Sequence, residues 1–206
     1  MAQYAFYFDS TRCSGCKTCA LACKDKKDLD AGEAFRRVYE YAGGDTGKLD
    51  DGTHLTSCFA YTVSVSCNHC DNPLCFANCP QAAISKDPET GFVASDLEKC
   101  IGCGTCAQVC PYGAPRVDDE LKKSVKCDGC VDVVAAGGKP VCVMACPARA
   151  LDFGEAEAMA ALGERADIAP LPGADETTPN LFIKTNADGR PVDSVDGEVA
   201  NPAELA

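Results

Sequence analysis

The sequence predicts an α+β fold, consisting of two small cysteine-rich modules, a β-hairpin insertion and an extended C-terminal tail. Three observations predict it. Sixteen of the seventeen cysteines fall into four groups of four. Two stretches of strand-like alternation lie between the first and second groups, and the last forty residues or so are rich in Pro, Asp and Gly.

The four cysteine groups predict the cofactor. Group one is Cys13, Cys16, Cys19 and Cys23; group two is Cys67, Cys70, Cys75 and Cys79; group three is Cys100, Cys103, Cys106 and Cys110; group four is Cys127, Cys130, Cys142 and Cys146. Pro80, Pro111 and Pro147 directly follow groups two, three and four. This is the bacterial ferredoxin run C-x2-C-x2-C-x3-C-P, with two variations of spacing, and its fourth cysteine ligates the neighbouring cluster. The sequence therefore predicts four 4Fe–4S clusters in two bacterial-ferredoxin-like modules.

The distances between the groups suggest how they pair. Only residues 80–99 separate groups two and three, as within an ordinary two-cluster ferredoxin, which leaves groups one and four to pair with each other. Exchange of the fourth cysteines then predicts four ligand sets. They are set a (Cys13, Cys16, Cys19, Cys146), set b (Cys23, Cys127, Cys130, Cys142), set c (Cys67, Cys70, Cys75, Cys110) and set d (Cys79, Cys100, Cys103, Cys106).

The elements follow in chain order. Residues 1–33, which begin with an aromatic alternation typical of a strand, form the first half of module 1, and residues 34–66 form the β-hairpin insertion, with strands at 34–41 and 54–66. Residues 67–115 form module 2, whose own hairpin has strands at 82–85 and 91–93.

The second half of module 1 comprises residues 116–154, including a short helix in the insertion at 131–141. Residues 155–206 form a helix, at 155–165, and a partner-binding tail. A tail from residue 169 with five prolines lacks a core of its own, so we expect it to be ordered only by lying across a partner or the body of the protein. A disordered tail is the alternative, which the apolar Leu181, Phe182 and Ile183 disfavour.

Composition limits the partners. The formal net charge is −12, and four oxidised clusters at about −2 each would bring the loaded chain to roughly −20. Nucleic acid is therefore excluded as a partner, and no apolar stretch is long enough to span a membrane directly. Aromatic residues are few, so the clusters must replace part of the apolar core, and we expect a poorly folded apoprotein.

Other interpretations of the cysteines and nearby residues fit less well. Zinc sites and disulfide frameworks do not explain four copies of one ordered run. We expect Cys58 to be a free packed thiol and His69 to have a loop role, because four cysteines already complete each site. Arg12, Lys99 and Lys126 each directly precede the first cysteine of a group, and Lys24 directly follows Cys23. These four basic residues either tune cluster potentials or are solvated loop charges.

Several further stretches resemble one known family. They include Tyr39-Glu40-Tyr41-Ala42-Gly43-Gly44, Cys110-Pro111-Tyr112-Gly113-Ala114-Pro115, Lys126-Cys127-Asp128-Gly129-Cys130 and Ala200-Asn201-Pro202. On these residues the chain resembles the iron–sulfur (B) subunit of the dimethyl-sulfoxide reductase type of molybdopterin oxidoreductase. The resemblance implies the same four clusters and ligand sets, and a catalytic partner that holds a bis-pterin molybdenum or tungsten cofactor. It also implies an integral-membrane anchor that oxidises quinol, and co-export with the catalytic subunit to the extracytoplasmic face, with the cytoplasm as the alternative.

The sequence therefore predicts a non-catalytic electron-transfer subunit, which relays electrons between a quinol-side donor and a molybdopterin active site in anaerobic respiration. No catalytic residue is expected on this chain, because bond chemistry belongs to the partner's cofactor. A free-standing polyferredoxin carrier is the alternative.

Overall fold

A computed structural model describes residues 3–205 and places strands and short helices in alternation. The strands are β1 (Tyr4–Asp9), β2 (Arg37–Gly43), β3 (Thr46–Lys48), β4 (His54–Thr56), β5 (Phe59–Val65), β6 (Ile84–Lys86), β7 (Val93–Ser95), β8 (Arg116–Val117), β9 (Ser124–Val125), β10 (Leu151–Glu155), β11 (Glu164–Arg165), β12 (Leu181–Lys184) and β13 (Gly197–Val199). The helices are α1 (Thr18–Lys26), α2 (Leu74–Ala77), α3 (Thr105–Val109), α4 (Val131–Ala135), α5 (Val141–Met144) and α6 (Ala156–Ala160), and a 3-10 turn covers Pro202–Glu204. The predicted α+β class is confirmed.

The largest sheet joins the two ends of the cysteine-rich region. Its order is β10-β1-β12-β11, with β1 antiparallel to β10 and parallel to β12. Phe6 lies opposite Phe153, and their ring centroids are 5.1 Å apart in a tilted pair. Because β1 leads into group one and β10 follows group four, this pairing brings those two groups together, and α1 packs against α5.

The insertion is a β-hairpin in which β2 pairs with β5 along its whole length, while β3 and β4 extend the tip. The predicted strand at 54–66 is interrupted at Ser57 and Cys58. There the backbone bonds elsewhere: Ser57 N–H donates to the carbonyl of Asp45, and Cys58 N–H donates to the hydroxyl of Thr56. Cys58 is exposed, so the expectation that it is packed was wrong.

The predicted helix at 155–165 is shorter than expected. It ends at Ala160, and the polypeptide returns as β11 to pair with β12. Gly163 explains the change of direction, since a Cβ there would lie 2.7 Å from the carbonyl carbon of Ile183. The close approach of the two backbones is open only to glycine.

The C-terminal tail lies across the body of the protein. Leu181, Phe182 and Ile183 are buried in β12 beside β1, and β13 pairs with β2. The side chain of Asn201 fixes the last segment, because its Oδ1 accepts from Glu40 N–H at 2.8 Å and its Nδ2 donates to a carbonyl of β2. Among residues 3–205, no helix is long and apolar enough to cross a lipid bilayer.

Candidate metal centres

Three of the four predicted cysteine sets each line a cavity. The thiols of set c surround one with about 370 Å³ of space outside the protein atoms, its mouth included. Set d surrounds a cavity of about 360 Å³ and set a one of about 320 Å³. The cavities are similar in size and each is lined by three cysteines of one group and the fourth cysteine of another. The structure thus brings together the cysteines that the exchange pattern predicts.

Set b is assembled by helix packing. Cys142 on α5 lies close to Cys23 on α1, to Cys127 and to Cys130, and its thiolate adds to the effect of burial in raising the pKa of each of these three thiols. Burial raises the pKa of Cys23 to about 11 and that of Cys127 to about 12. Four thiols in one apolar region can ionise together only when a cation balances them, as iron would.

The sulfurs of a set surround a space rather than a point. Within the described part of the protein, no three potential ligands converge closely enough to hold a single metal ion. A 4Fe–4S cluster has a different requirement, because each thiolate binds a different iron of the cluster. The donor set of four thiols around each cavity, with few other charges, fits such a cluster.

Backbone N–H groups point at the sulfurs in a repeated way. After the Cys-Pro step, the amide four residues beyond each of the fourth cysteines donates to that sulfur. The pairs are Ala83 to Cys79 at 3.3 Å, Ala114 to Cys110 at 3.5 Å and Ala150 to Cys146 at 3.3 Å. Such bonds stabilise thiolate charge, and the Cys-Pro turn of the sequence produces all three.

The cysteine loops share a left-handed residue just before the second cysteine. In groups one, three and four this residue is Gly15, Gly102 and Gly129, with φ near +70° in each. In group two it is His69, with φ 44°. Non-glycine residues seldom adopt this conformation, so the surroundings must hold His69 there.

Two buried cations lie between the sets. Arg36 is 1% exposed, and the thiolates of Cys142 and Cys19, which belong to sets b and a, raise its pKa despite its burial. Lys126 is buried with Nζ 3.5 Å from Cys67 Sγ and 3.1 Å from the carbonyl of Cys127, between sets c and b. No carboxylate within residues 3–205 forms an ion pair with either.

The other three basic residues that flank a cysteine group are engaged away from the sulfurs. Arg12 pairs with Asp9 and Lys99 with Asp96, while Lys24 donates to backbone carbonyls. The position of a basic residue next to a cysteine in the sequence therefore identified only one of the two buried cations, Lys126. It missed Arg36, whose position in the sequence carries no signal of burial, because only the packing of β2 and its neighbours encloses it.

Two thiols of the predicted sets reach the surface. Cys16 of set a and Cys103 of set d are exposed, and all members of sets b and c are buried or half-buried. The two histidines differ as well: His54 is exposed at the hairpin tip, and His69 is buried in the wall of the set c cavity. Cys58 belongs to no set.

Comparison with known proteins identifies the family to which this protein belongs. A model described as a 4Fe-4S dicluster domain matches residues 58–156, and one described as a 4Fe-4S binding domain matches residues 10–31. The protein is 52% identical to the B subunit of anaerobic dimethyl sulfoxide reductase from Escherichia coli (strain K12), over 98% of each sequence. It is 49% identical to the corresponding subunit from Haemophilus influenzae, over 100% of each.

A more distant relative extends the comparison. The protein is 37% identical to thiosulfate reductase electron transfer subunit PhsB of Salmonella typhi, over 74% of this sequence and 76% of that one. The predicted cofactor and role agree with these relatives: this is an iron–sulfur protein, its cysteines are consistent with four 4Fe–4S clusters, and it transfers electrons rather than performing catalysis. It belongs to the family of iron–sulfur B subunits of the dimethyl-sulfoxide reductase type of molybdopterin oxidoreductase.

Proposed function

We propose that sets a, b, c and d each hold one 4Fe–4S cluster, and that electrons cross this subunit along the spatial order a–b–c–d or its reverse. When bound, the clusters supply one-electron redox chemistry. The protein itself supplies thiolate ligands, backbone donors to the sulfurs and exclusion of water. The observation that carries the proposal is that each set has a cysteine close to a cysteine of the next set, so the four sites form one continuous row.

Contacts between the sets support the order. Arg36 lies between sets a and b, as described above, and Cys127 of set b lies near Cys67 of set c, where Lys126 contacts both loops. Sets c and d meet in a small apolar cluster that contains Cys75 and Cys106. Sets a and d are then the two ends of the row, and these are the sets with an exposed thiol.

The surface at each end suits contact with another protein. Leu21, in the helix that follows Cys16, is 67% exposed, and Ile101, which lines the set d cavity together with Cys103, is 61% exposed. Apolar side chains next to an exposed ligand allow a partner's own redox group to approach while excluding water. We place the molybdopterin catalytic subunit at one end of the row and the electron donor at the other.

The row of four sites corresponds to two modules, each of which holds two of the cysteine sets. Module 1 consists of residues 1–33 and 116–154, joined by β1 and β10, and module 2 of residues 67–115. The hairpin at 34–66 and the segment 155–206 wrap the two modules. The tail contacts its own body, so its length no longer argues against a free carrier; the full-length match to reductase B subunits favours the subunit.

The finer partner assignments rest on the relatives. The protein would serve a reductase of the dimethyl-sulfoxide type, with an integral-membrane anchor that oxidises quinol. It would be membrane-associated through these partners, on the extracytoplasmic face after co-export. Protease treatment of intact spheroplasts tests the face: degradation of the protein supports it, and protection until lysis contradicts it.

Elemental analysis and native purification test the proposal itself. The anaerobically isolated protein should contain about sixteen irons and a matching amount of sulfide. It should elute with a large molybdoprotein, whereas a free carrier would elute alone near 21.5 kDa. Cys106→Ser should alter one paramagnetic resonance signal of the reduced protein and leave three. Far less iron, or zinc in its place, would refute the four-cluster assignment.

A further inference from the structure

The cavity of set c is lined by polar side chains that each carry an atom without a hydrogen-bond partner. Within residues 3–205 the unpartnered buried atoms include Asn68 Nδ2, His69 Nε2, Tyr112 Oη and Thr177 Oγ1, and all four residues line this one cavity. Each residue is at most 5% exposed. A buried donor left unsatisfied loses the hydrogen bond that water would have given it, so four such groups around one cavity indicate a ligand that accepts hydrogen bonds.

His69 is held so that its free ring nitrogen must be a donor. Its Nδ1 accepts from Val93 N–H at 2.9 Å, and its backbone carbonyl accepts from Asn180 Nδ2 at 2.9 Å. An imidazole whose Nδ1 accepts carries its proton on Nε2.

His69 also makes the cysteine loop of group two different from the other three cysteine loops. The equivalent left-handed position is glycine in groups one, three and four, where no side chain is available. A histidine in that conformation is strained relative to glycine, and two hydrogen bonds hold it against the strain. The strained residue brings to set c a ring donor that the other loops lack.

Tyr112 supplies a second unpartnered donor to the same cavity, its phenol hydroxyl. A phenol hydroxyl carries one proton, which it can donate to a hydrogen-bond acceptor. Its backbone carbonyl is already used, accepting from Arg37 at 2.6 Å. The hydroxyl of Thr177, contributed by the C-terminal tail, lies close enough to Tyr112 Oη and to the thiol of Cys70 to interact with both, but it meets neither with the distance and angles of a hydrogen bond.

The other cavities differ. In set a the hydroxyl of Ser64 lies 3.5 Å from Cys19 Sγ, and in set d the hydroxyl of Ser124 lies 3.1 Å from Cys106 Sγ, so these groups are already paired with ligand sulfurs. Among the described residues that line these two cavities, Ser95 of set d carries the one unpartnered side-chain atom. Among the described residues that line the three cysteine cavities, several free donors face the set c cavity and at most one faces either of the other two.

We propose that the Nε2–H of His69 and the hydroxyl of Tyr112, assisted by Asn68, donate hydrogen bonds to the sulfur atoms of the set c cluster and selectively raise its reduction potential. The inference rests on the proposed function, which assigns a cluster to set c. Reduction adds negative charge, and donors aimed at sulfur stabilise the reduced form more than the oxidised form. Lys126, 3.5 Å from Cys67 Sγ, acts in the same direction.

Tyr112→Phe is the decisive variant, because it removes one hydroxyl and keeps the ring. The test is a redox titration of the loaded full-length protein followed by electron paramagnetic resonance. Loss of one donor should change the oxidised-to-reduced ratio of a single cluster by roughly two- to tenfold, and tenfold corresponds to a fall of about 59 mV for one electron. Cys75→Ser identifies which signal belongs to set c.

Tyr39→Phe is the matched control, since Tyr39 is a half-buried tyrosine of β2 that lines none of the three cysteine cavities. It should leave all four potentials in place. His69→Phe should lower the same potential as Tyr112→Phe, although it also removes the acceptor of Val93 N–H.

The outcomes separate the two proposals. A fall confined to the signal that Cys75→Ser alters supports the inference. Four intact signals with no shift in Tyr112→Phe, or an equal shift in several signals, overturns the inference and leaves the proposed function standing. A wild-type protein with fewer than four signals and a deficit of iron overturns the proposed function instead.

Discussion

Arg36 offers a direct test of how buried charge tunes the row of sites. Its guanidinium is enclosed by β5 and the cysteine loops, donates to Ser64 Oγ at 3.1 Å and Ser66 Oγ at 2.9 Å, and lies 4.8 Å from the ring centroid of Phe6. The Nε–H has no partner within residues 3–205. A buried cation without a carboxylate is costly unless other negative charge balances it, and thiolate-bound clusters would supply that charge.

The size of the effect follows from the geometry. Ser64 Oγ also lies 3.5 Å from Cys19 Sγ, so it bridges the guanidinium and a set a sulfur. At about 7 Å and an effective dielectric constant of about 20, two unit charges interact by about 2 kcal/mol. For a one-electron couple this corresponds to roughly 90 mV, an upper value because both charges are spread over several atoms. Arg36→Met should therefore lower the potentials of the set a and set b clusters by up to that amount.

The assay is a redox titration of the loaded protein with each midpoint followed separately. Arg36→Met should shift two of the four midpoints downward, and Arg36→Lys, which keeps the charge, should shift them much less. The reasoning is refuted if all four midpoints stay in place in Arg36→Met. It is also refuted if Arg36→Lys lowers the midpoints as much as Arg36→Met, because packing rather than charge would then be responsible.

Three further predictions concern the thiols, the tail and the cofactor. The loaded protein should react with one equivalent of a maleimide, at Cys58, and the Cys58→Ser variant should not react. Cys16 and Cys103 are also exposed, but as ligands of iron they should not be labelled. Labelling of three thiols would contradict ligation by all sixteen other cysteines. Asn180→Ala, which removes the bonds that tie the tail to the set c loop, should cost about 1–3 kcal/mol in chemical denaturation, whereas exposed Asn72→Ala should cost almost nothing. Chelation of the iron should abolish cooperative unfolding and near-ultraviolet dichroism, because the buried thiols and cations lose their counter-charges; a native-like apoprotein would contradict this.

Most of what could be predicted about this protein came from the spacing of its cysteines. Ligation by C-x2-C-x2-C loops is a local property, so four sites and their exchanged pairing could be inferred without knowing the fold, and the structure gathers the same sixteen thiols. The ligand sets themselves stay predictions until the metal content is measured. Strand positions were predicted to within a few residues, and they failed where a local hydrogen bond replaced the ladder, as at Cys58.

The path of the C-terminal tail could not be predicted from the sequence. Its composition indicated that it needs a surface to lie on, but the choice between a partner and its own body depends on pairing with β1 and β2, far away in the sequence. The length of α6 was decided in the same way, by the close approach of Gly163 to β12.

By itself the sequence determined the kind of cofactor, the number of sites and the class of protein, because these depend on residue types at short spacing. Only the tertiary structure decided which charges and donors are buried beside them: Arg36 and Lys126 between the sites, and His69 and Tyr112 in one cavity wall. Burial results from contacts between segments distant in sequence, and it determines how strongly a charge or a hydrogen bond acts, since water no longer screens it.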